Sequence, residues 1–389
     1  MKKLLAIIIL ASVVIPLPLL AATKTPFYYG AWLPFWKKQP GAQEFALNLE
    51  KFYSISPFSY EVGSNGTLKD SLKINQGFWP GWIGAVKDAK VKIIPTIAWF
   101  DGDAIHALLS NKKKRIAHEN AIAKLVKNQK FDGIDIDYEA KLADTNPYFA
   151  LFIQGLSARL HSAKKILSCT IEPRMPVSSR YTRTNSPEDY QYANDYKALN
   201  KYCDEIRIMA YDQGLIDIKL DAQKGNGNLY APVADPDWVE KVLKEALKTI
   251  SPKKIMLGIP TYGYEYQARW NNGVLTYERL RSHTFDQAVE RAQTVNATST
   301  RNSAGELSFT YATSTWVNNV STSLSFNVSS TQPVELASLG TNSSLRYVSF
   351  SDAEAISQKI ALAKKYKLRG AVFFKMDGEV DPVLWNKVK

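Results

Sequence analysis

The stretch Phe131-Asp132-Gly133-Ile134-Asp135-Ile136-Asp137-Tyr138-Glu139 alternates carboxylates with apolar side chains at a period of two. Successive side chains of a β-strand point to opposite faces, so Asp135, Asp137 and Glu139 share one face and Ile134, Ile136 and Tyr138 the other. Such a strand suits the wall of a barrel, with the apolar face under a helix and the acids lining the interior up to the C-terminal mouth. Three carboxylates in a partly desolvated space cannot all ionise cheaply, so at least one proton is expected to be retained near neutral pH. A carboxyl group that keeps its proton is what a general acid requires. The same residues could also form a solvated acidic strand or a Ca²⁺ or Mg²⁺ site. The interleaved Ile, Ile and Tyr oppose solvation, and the lack of a glycine-rich ligand loop opposes calcium.

Outward from this strand, short apolar segments alternate with helical patterns, as βα units around a parallel sheet require. The strands are expected at Phe27 to Trp32, Phe52 to Phe58, Val91 to Ala98, Ile134 to Glu139, Ile166 to Ile171, Glu205 to Tyr211, Lys254 to Pro260 and Ala371 to Met376. Amphipathic helices are expected at Arg115 to Asn128, Pro147 to Ala163, Asp237 to Thr249 and Ala353 to Tyr366, the last starting at Ser351-Asp352. The pattern predicts an α/β fold, a (β/α)8 TIM barrel. The rhythm breaks from about Gln267 to Arg346, a stretch rich in Ser, Thr and Asn with β-branched alternation such as Ser323 to Val328. It reads as a small α+β or β-rich insertion after strand seven, because Trp270, Tyr277, Phe309, Tyr311 and Trp316 need burial that a disordered loop does not give.

Met1 to Ala22 reads as a signal peptide: Lys2 and Lys3, an apolar run from Leu4, and small residues in Leu20-Ala21-Ala22 before Thr23. Pro16 and Pro18 interrupt the apolar run, so cleavage and export are expected ahead of an uncleaved membrane anchor. Residues 23–389 are then expected to form one domain. Of 389 residues 45% are hydrophobic and 12% aromatic, enough for a sizeable core and unlike a disordered chain. The net charge of +12 becomes +10 without Lys2 and Lys3, so the basicity belongs to the mature chain and suits an anionic partner. No nucleic-acid motif accompanies it. The four histidines, His106, His118, His161 and His283, lack metal-ligand spacing, and the two cysteines exclude a Cys-rich zinc module. Cys169 in strand five and Cys203 before strand six are expected as buried thiols rather than a pair.

The acidic strand resembles the DxxDxDxE signature of family 18 glycoside hydrolases, the chitinase-like family, through Asp132, Asp135, Asp137 and Glu139. Met209-Ala210-Tyr211-Asp212 resembles that family's MxYD on strand six, Leu257 to Gly263 its strand-seven segment, and Gly370 to Asp377 its final strand. Ser56 to Glu61 and Ala231 to Trp238 look most like the bacterial branch that includes spore-germination cortex-lytic enzymes. The resemblance implies an exported retaining glycosidase, cofactor-free and monomeric, acting on N-acetylglucosamine-containing glycans, either chitin oligomers or peptidoglycan. The substrate's own N-acetyl oxygen is the nucleophile in that family. Glu139 is then the acid, Asp137 orients the acetamido N–H, Asp135 shares a proton or hydrogen bond with Asp137, and Tyr211 donates to the acetamido oxygen. Asp212, Met209, Tyr262 and Phe374 are implied substrate contacts, with Phe374 standing where the family usually has tryptophan. Trp32, Trp36 and Trp99, near the C-terminal ends of strands one and three, are either sugar platforms or core. A rival is a catalytically inactive sugar-binding protein on the same fold, although such relatives usually lack the terminal glutamate that Glu139 provides.

Overall fold

The computed structural model describes residues 26–63, 65–182, 191–226, 228–271, 274–314 and 343–388; the expected signal peptide Met1–Ala22, the Ser323–Val328 alternation and Trp316 lie outside them. Eight parallel strands form the barrel: β1 Tyr28–Leu33, β2 Ser54–Val62, β3 Thr96–Trp99, β4 Gly133–Tyr138, β5 Ile166–Ile171, β6 Glu205–Ile208, β7 Ile255–Pro260 and β8 Gly370–Phe374. Each pairs with the next, and β8 pairs with β1, so the ring closes as the βα rhythm predicts. Two glycines allow this spacing. A Cβ on Gly133 would collide with the Ile166 carbonyl across β4 and β5, and one on Gly370 with the Tyr28 carbonyl across β8 and β1.

The expected third strand is split into Lys92–Ile93 and Thr96–Trp99 around Pro95, which has no N–H to donate to a ladder. The expected sixth and eighth strands end at Ile208 and Phe374, so Met209 to Asp212 and Lys375 to Asp377 form loops at the mouth. Helices Lys112–Asn128, Asn146–Ser162, Pro236–Leu247 and Ala353–Lys365 fall within a few residues of expectation. Asp352 caps the last of these, accepting from the Ala355 N–H at 3.0 Å while Arg301 clasps both its oxygens at 2.6 and 2.8 Å.

The apolar face of β4 packs outward as its alternation requires. Tyr138 stacks on Phe152 with centroids 5.6 Å apart, and its hydroxyl donates to His118 Nε2 at 2.6 Å. His118 Nδ1 donates to the Gly66 carbonyl at 3.1 Å, and burial depresses the imidazole to about 4, so it is a neutral core group.

The insertion begins five residues earlier than expected and ends four later, because β7 runs directly into the strand Tyr262–Asn271. Among the described residues it is a five-stranded antiparallel sheet carrying one helix, Phe285–Thr294. One sheet face, including Phe309, Val348 and Phe350, packs on Ala288 and Ala292 of that helix; the other, with Tyr266 and Tyr347, packs on Leu229 and Ala231. Tyr277, Phe309 and Tyr311 thus find the burial that the sequence demanded.

The cysteines depart from expectation. Cys169 and Cys203 form a disulfide with a Cα separation of 6.2 Å. Cys169 lies opposite Ile206 in the β5–β6 ladder, and the Asp204 N–H donates to the Leu167 carbonyl at 2.9 Å, so the residue before β6 is drawn against the outer face of β5. The sequence separation is 34, and in the chain-entropy description cross-linking a loop of that length stabilises by about 3–4 kcal/mol. The Cys169→Ala/Cys203→Ala double variant is expected to lose about 2–4 kcal/mol in urea unfolding relative to the oxidised protein. Identical midpoints for the variant and the oxidised protein would remove the pair from the stability of the barrel.

Candidate active site

β4 presents its acids in layers. At its N-terminal end Asp132 accepts from the Ile93 N–H at 2.9 Å and from Lys92 Nζ at 3.3 Å, fastening the approach to β3 rather than facing the interior. Asp135 is fully buried on the barrel axis. Its Oδ1 accepts from Ser168 at 2.7 Å and Thr170 at 2.9 Å, and its Oδ2 from Thr96 at 2.9 Å and Trp32 Nε1 at 3.0 Å. Arg207 lies 3.5 Å from Oδ2 and makes its close pair with Glu205 at 2.7 Å. Neither Arg207 nor Glu205 was singled out in the sequence. The signal available was the inward parity of Glu205-Ile206-Arg207-Ile208-Met209-Ala210-Tyr211, which puts two opposite charges below the tyrosine.

Asp137 forms the next layer, with Oδ1 buried and without a hydrogen-bond partner in the structure. The resemblance implies a proton or hydrogen bond shared between Asp135 and Asp137. In the structure the Asp135 oxygens are spent on four other donors, and Asp135 acts on Asp137 through its charge. Burial, together with the Glu139 and Asp135 charges, raises the Asp137 carboxyl well above the usual range. Glu139, half-buried at the mouth, is pushed up to about 7 by burial and by the Glu172 and Asp212 charges, with Lys141 opposing. Lys141, on the loop after β4, donates to the Tyr138 carbonyl and lies 3.3 Å from Glu172, which extends past the end of β5.

These acids open into a cleft of about 690 Å³ lined by Trp32, Trp36, Phe58, Met209, Tyr211, Asp212 and Phe374 among others. Tyr211 and Phe374 stack with centroids 5.3 Å apart and planes 10° apart. Burial and the surrounding acids raise the Tyr211 hydroxyl well above its ordinary value, so it holds its proton as a donor. Asp212 adopts φ 59°, a left-handed conformation that aspartate tolerates better than most residues, and accepts from Tyr262 and Tyr264. Tyr262 does not line the cleft; it is buried behind Phe374 and acts on the site through Asp212.

Of the tryptophans, Trp36 is 53% exposed and lines the cleft. Trp32 also lines it but is nearly buried, its indole N–H committed to Asp135. Trp99 corrects the platform reading: Thr96 points inward, so Trp99 three residues later points outward, where it packs edge-on against Tyr138 at 5.4 Å. Phe58, Tyr60 and Phe100 line the cleft without having been singled out; Phe58 shares the inward parity of β2, which alternation along Ser54-Ile55-Ser56-Pro57-Phe58 could have revealed, whereas a register shift between Phe58 and Tyr60 breaks that alternation before Tyr60.

A closed barrel whose fourth strand delivers a proton-holding carboxyl into an aromatic cleft is equipped for acid–base work on a bound ligand. The chain belongs to family 18 of the glycosyl hydrolases, the model of which, described as Glycosyl hydrolases family 18, matches residues 69–379. It is 28% identical over 170 residues to YvbX, an uncharacterized glycosylase of Bacillus subtilis, an alignment covering 44% of each chain. It is 27% identical over 224 residues to a cortical fragment-lytic enzyme of Bacillus anthracis, covering 56% of this chain and 47% of the relative. In fold it is similar to the spore cortex-lytic enzyme SleL of Bacillus megaterium, with a TM-score of 0.68 at 20% identity over 95% of this chain and 74% of that one. It is also similar to a chitinase from Chromobacterium violaceum, with a TM-score of 0.66 at 18% identity over 93% and 98% of the two chains. The chain spans about half the length of the curated relatives it matches.

A carboxyl raised by a like charge responds when that charge is removed. In a ¹³C NMR titration of labelled glutamate carboxyls, Glu139 is expected to titrate near pH 7. Glu172→Gln should lower its midpoint, because the carboxylate form no longer faces the Glu172 charge. A Glu139 midpoint in the ordinary glutamate range in the unaltered protein would show that the site does not hold this proton.

Proposed function

We propose that the chain is an exported, retaining glycosidase that cleaves β-linked N-acetylglucosamine-containing glycans, chitin oligomers or peptidoglycan, with the substrate's acetamido group as nucleophile. The reading rests on one observation above the others: two successive inward carboxyls of β4, Asp137 and Glu139, are raised in the same aromatic cleft, the outer one to about 7. Such a carboxyl is protonated often enough at neutral pH to act as acid and acidic enough to give the proton up. Glu139 gives that proton to the glycosidic oxygen as the bond to the anomeric carbon breaks. The acetamido oxygen of the same sugar closes onto that carbon, forming an oxazolinium. Water then opens the ring with Glu139 taking its proton, so configuration is retained.

The other residues fit roles in that sequence. Asp137 Oδ1, buried and unpartnered, is suited to accept the acetamido N–H, and the carboxylate form offsets the positive charge of the oxazolinium. Tyr211 supplies a hydroxyl donor for the acetamido oxygen, and Phe374 a flat apolar face beneath the sugar. Asp212 and Met209 complete the wall. Export is supported by the leader reading of Met1–Ala22 and by the Cys169–Cys203 disulfide, a bond of oxidising compartments. We take residues 23–389 as one catalytic unit acting as a monomer.

Glu139→Gln keeps shape but cannot donate as an acid, so kcat on a soluble chitooligosaccharide is expected to fall by about 10²–10⁴ with far-UV circular dichroism unchanged. Aryl β-glucosides, which lack the acetamido group, should be cleaved orders of magnitude more slowly than the matched N-acetylglucosaminides, because the nucleophile's effective concentration vanishes with the group. Comparable kcat/KM for the two would assign the attack to a protein carboxylate instead.

A further inference from the structure

At the end of the barrel opposite the cleft, four helices that lead into barrel strands, Trp79–Asp88, Lys112–Asn128, Asn146–Ser162 and Ala353–Lys365, close in the same doubly bonded turn. The residue two past each helix, Lys90, Lys130, Lys164 or Lys367, donates its N–H to the carbonyl three residues back, and the next residue donates to the carbonyl five back, at 2.8–3.2 Å. That turn needs a positive φ, here 52–62°, which is normally supplied by glycine or asparagine. The insertion's helix Phe285–Thr294 makes the same turn and has Asn296 there, with φ 50°. Lysine stands at that position in all four barrel helices although the turn itself does not favour it.

These turns lie on one rim, tied loop to loop by backbone bonds such as Tyr28 N–H to the Arg369 carbonyl at 3.0 Å, Lys92 to Tyr53 at 2.8 Å and Ile166 to Asp132 at 3.0 Å. Lys201, just before β6, and Lys253, just before β7, join the four, so six lysines ring this face. All six are exposed, and none makes an ion pair among the described residues. The carboxylates of the same rim are already matched: Glu50 with Lys51 at 3.5 Å, Asp132 with Lys92 at 3.3 Å and Asp204 with His161 at 2.9 Å. Asp88 is the one acid there without a cation among the described residues. The rim therefore carries a net positive charge.

Six long cations spread around a rim cannot converge on one small anion, but each can meet a separate group of an extended anionic surface. Where the chain enters the barrel favours one such surface. Tyr28 opens β1 at this rim, and only Ala21 to Phe27, at most about 25 Å when fully extended, separates it from the apolar run Leu4 to Leu20. An apolar run of that kind belongs in a lipid bilayer, as a signal or as an anchor. We propose that the lysine rim docks on anionic phospholipid headgroups, an interaction of the kind basic segments next to a membrane make. Barrel strands of about six residues put the mouth about 20 Å away at the other end, so the docked protein turns its cleft away from the membrane. The inference rests on the reading of Met1–Ala22 as an export leader and is independent of the reaction.

The test measures binding of the full chain to phosphatidylcholine vesicles with and without phosphatidylglycerol; in the ratio of the two affinities any contribution of the apolar run cancels. The wild-type ratio is expected to be well above one and to fall with rising salt. Lys90→Asn, Lys130→Asn, Lys164→Asn and Lys367→Asn combined keep a residue the turn accepts, so Tm should hold or rise while the ratio falls about fivefold for each lysine removed. Arginine at the same four positions should preserve the ratio. Lys112→Gln/Lys113→Gln/Lys114→Gln, which removes exposed charge at the other end of its helix, should leave the ratio nearly unchanged. A wild-type ratio near one, an asparagine variant that binds as the wild type does, or an equal loss in the Lys112–Lys114 variant overturns the assignment. Binding to a soluble glycerol-phosphate polymer but not to the vesicles overturns it in favour of a wall polymer. Hydrolysis of a soluble chitooligosaccharide, expected to be unchanged in every variant, reports on the glycosidase reading separately.

Discussion

A charged carboxylate at the centre of a barrel has to be satisfied by the walls around it, and Asp135 sets that constraint here. Moving an ion out of water costs several kcal/mol even after relaxation, and good geometry with every lone pair occupied is what offsets it. The donors come from β1 (Trp32), β3 (Thr96) and β5 (Ser168 and Thr170), with the Arg207 guanidinium from β6. Arg207 is itself held by Glu205 and by Ser56 of β2. One anion thereby ties the inner faces of neighbouring strands into a single register. Removing one member of the close Arg207–Glu205 pair would leave a buried charge uncompensated, a defect of about 3–5 kcal/mol.

This floor decides the chemistry of the layer above it. Asp135 offers Asp137 negative charge but no free lone pair, and Asp137 is too deep to recover its solvation, so its carboxyl is raised. Glu139 is nearer to water and feels Glu172 and Asp212 across the mouth, with Lys141 pulling the other way, and its balance point falls to about 7. Three acids two residues apart on one strand therefore have three environments: saturated with donors, desolvated, and half-exposed among charges. The separation of roles follows from depth along the strand rather than from residue type.

The alternation at Ile134 to Glu139 was legible because period two is a local property, and β4 obeys it in the structure. The βα rhythm gave the closed ring for the same reason. What was not legible depended on which side of a neighbouring strand a residue meets. Trp99 sits at the end of β3, where position alone left platform and core both open, and parity counted from Thr96 turns it outward. Cys169 and Cys203 are brought together by the β5–β6 register, which no spacing in the chain encodes. Arg207 and Glu205 were not singled out because a charged pair on a short strand becomes a core element only when a further charge, Asp135, lies beside it inside the barrel.

The insertion, read from sequence as a small α+β or β-rich module after strand seven, bears on the site through two hydroxyls. Its first strand carries Tyr262 and Tyr264, both of which donate to Asp212, and that carboxylate sits in a left-handed turn directly after Tyr211. A turn of this kind at the end of β6 needs support from outside the barrel, because the β6 ladder stops at Ile208. Phe374 is held by the same group of rings. It stacks on Tyr211 and meets Trp32, Phe58 and Tyr262 edge-on at 5.9, 6.1 and 5.8 Å. A phenyl ring offers a ligand less area than an indole, but one fixed on four sides has little freedom left to give up when a ligand packs on it, so its rigidity offsets part of its smaller face. The insertion is thus coupled to the floor of the cleft, and a change in its first strand reaches the Tyr211 and Phe374 rings through Tyr262 before it reaches the acids.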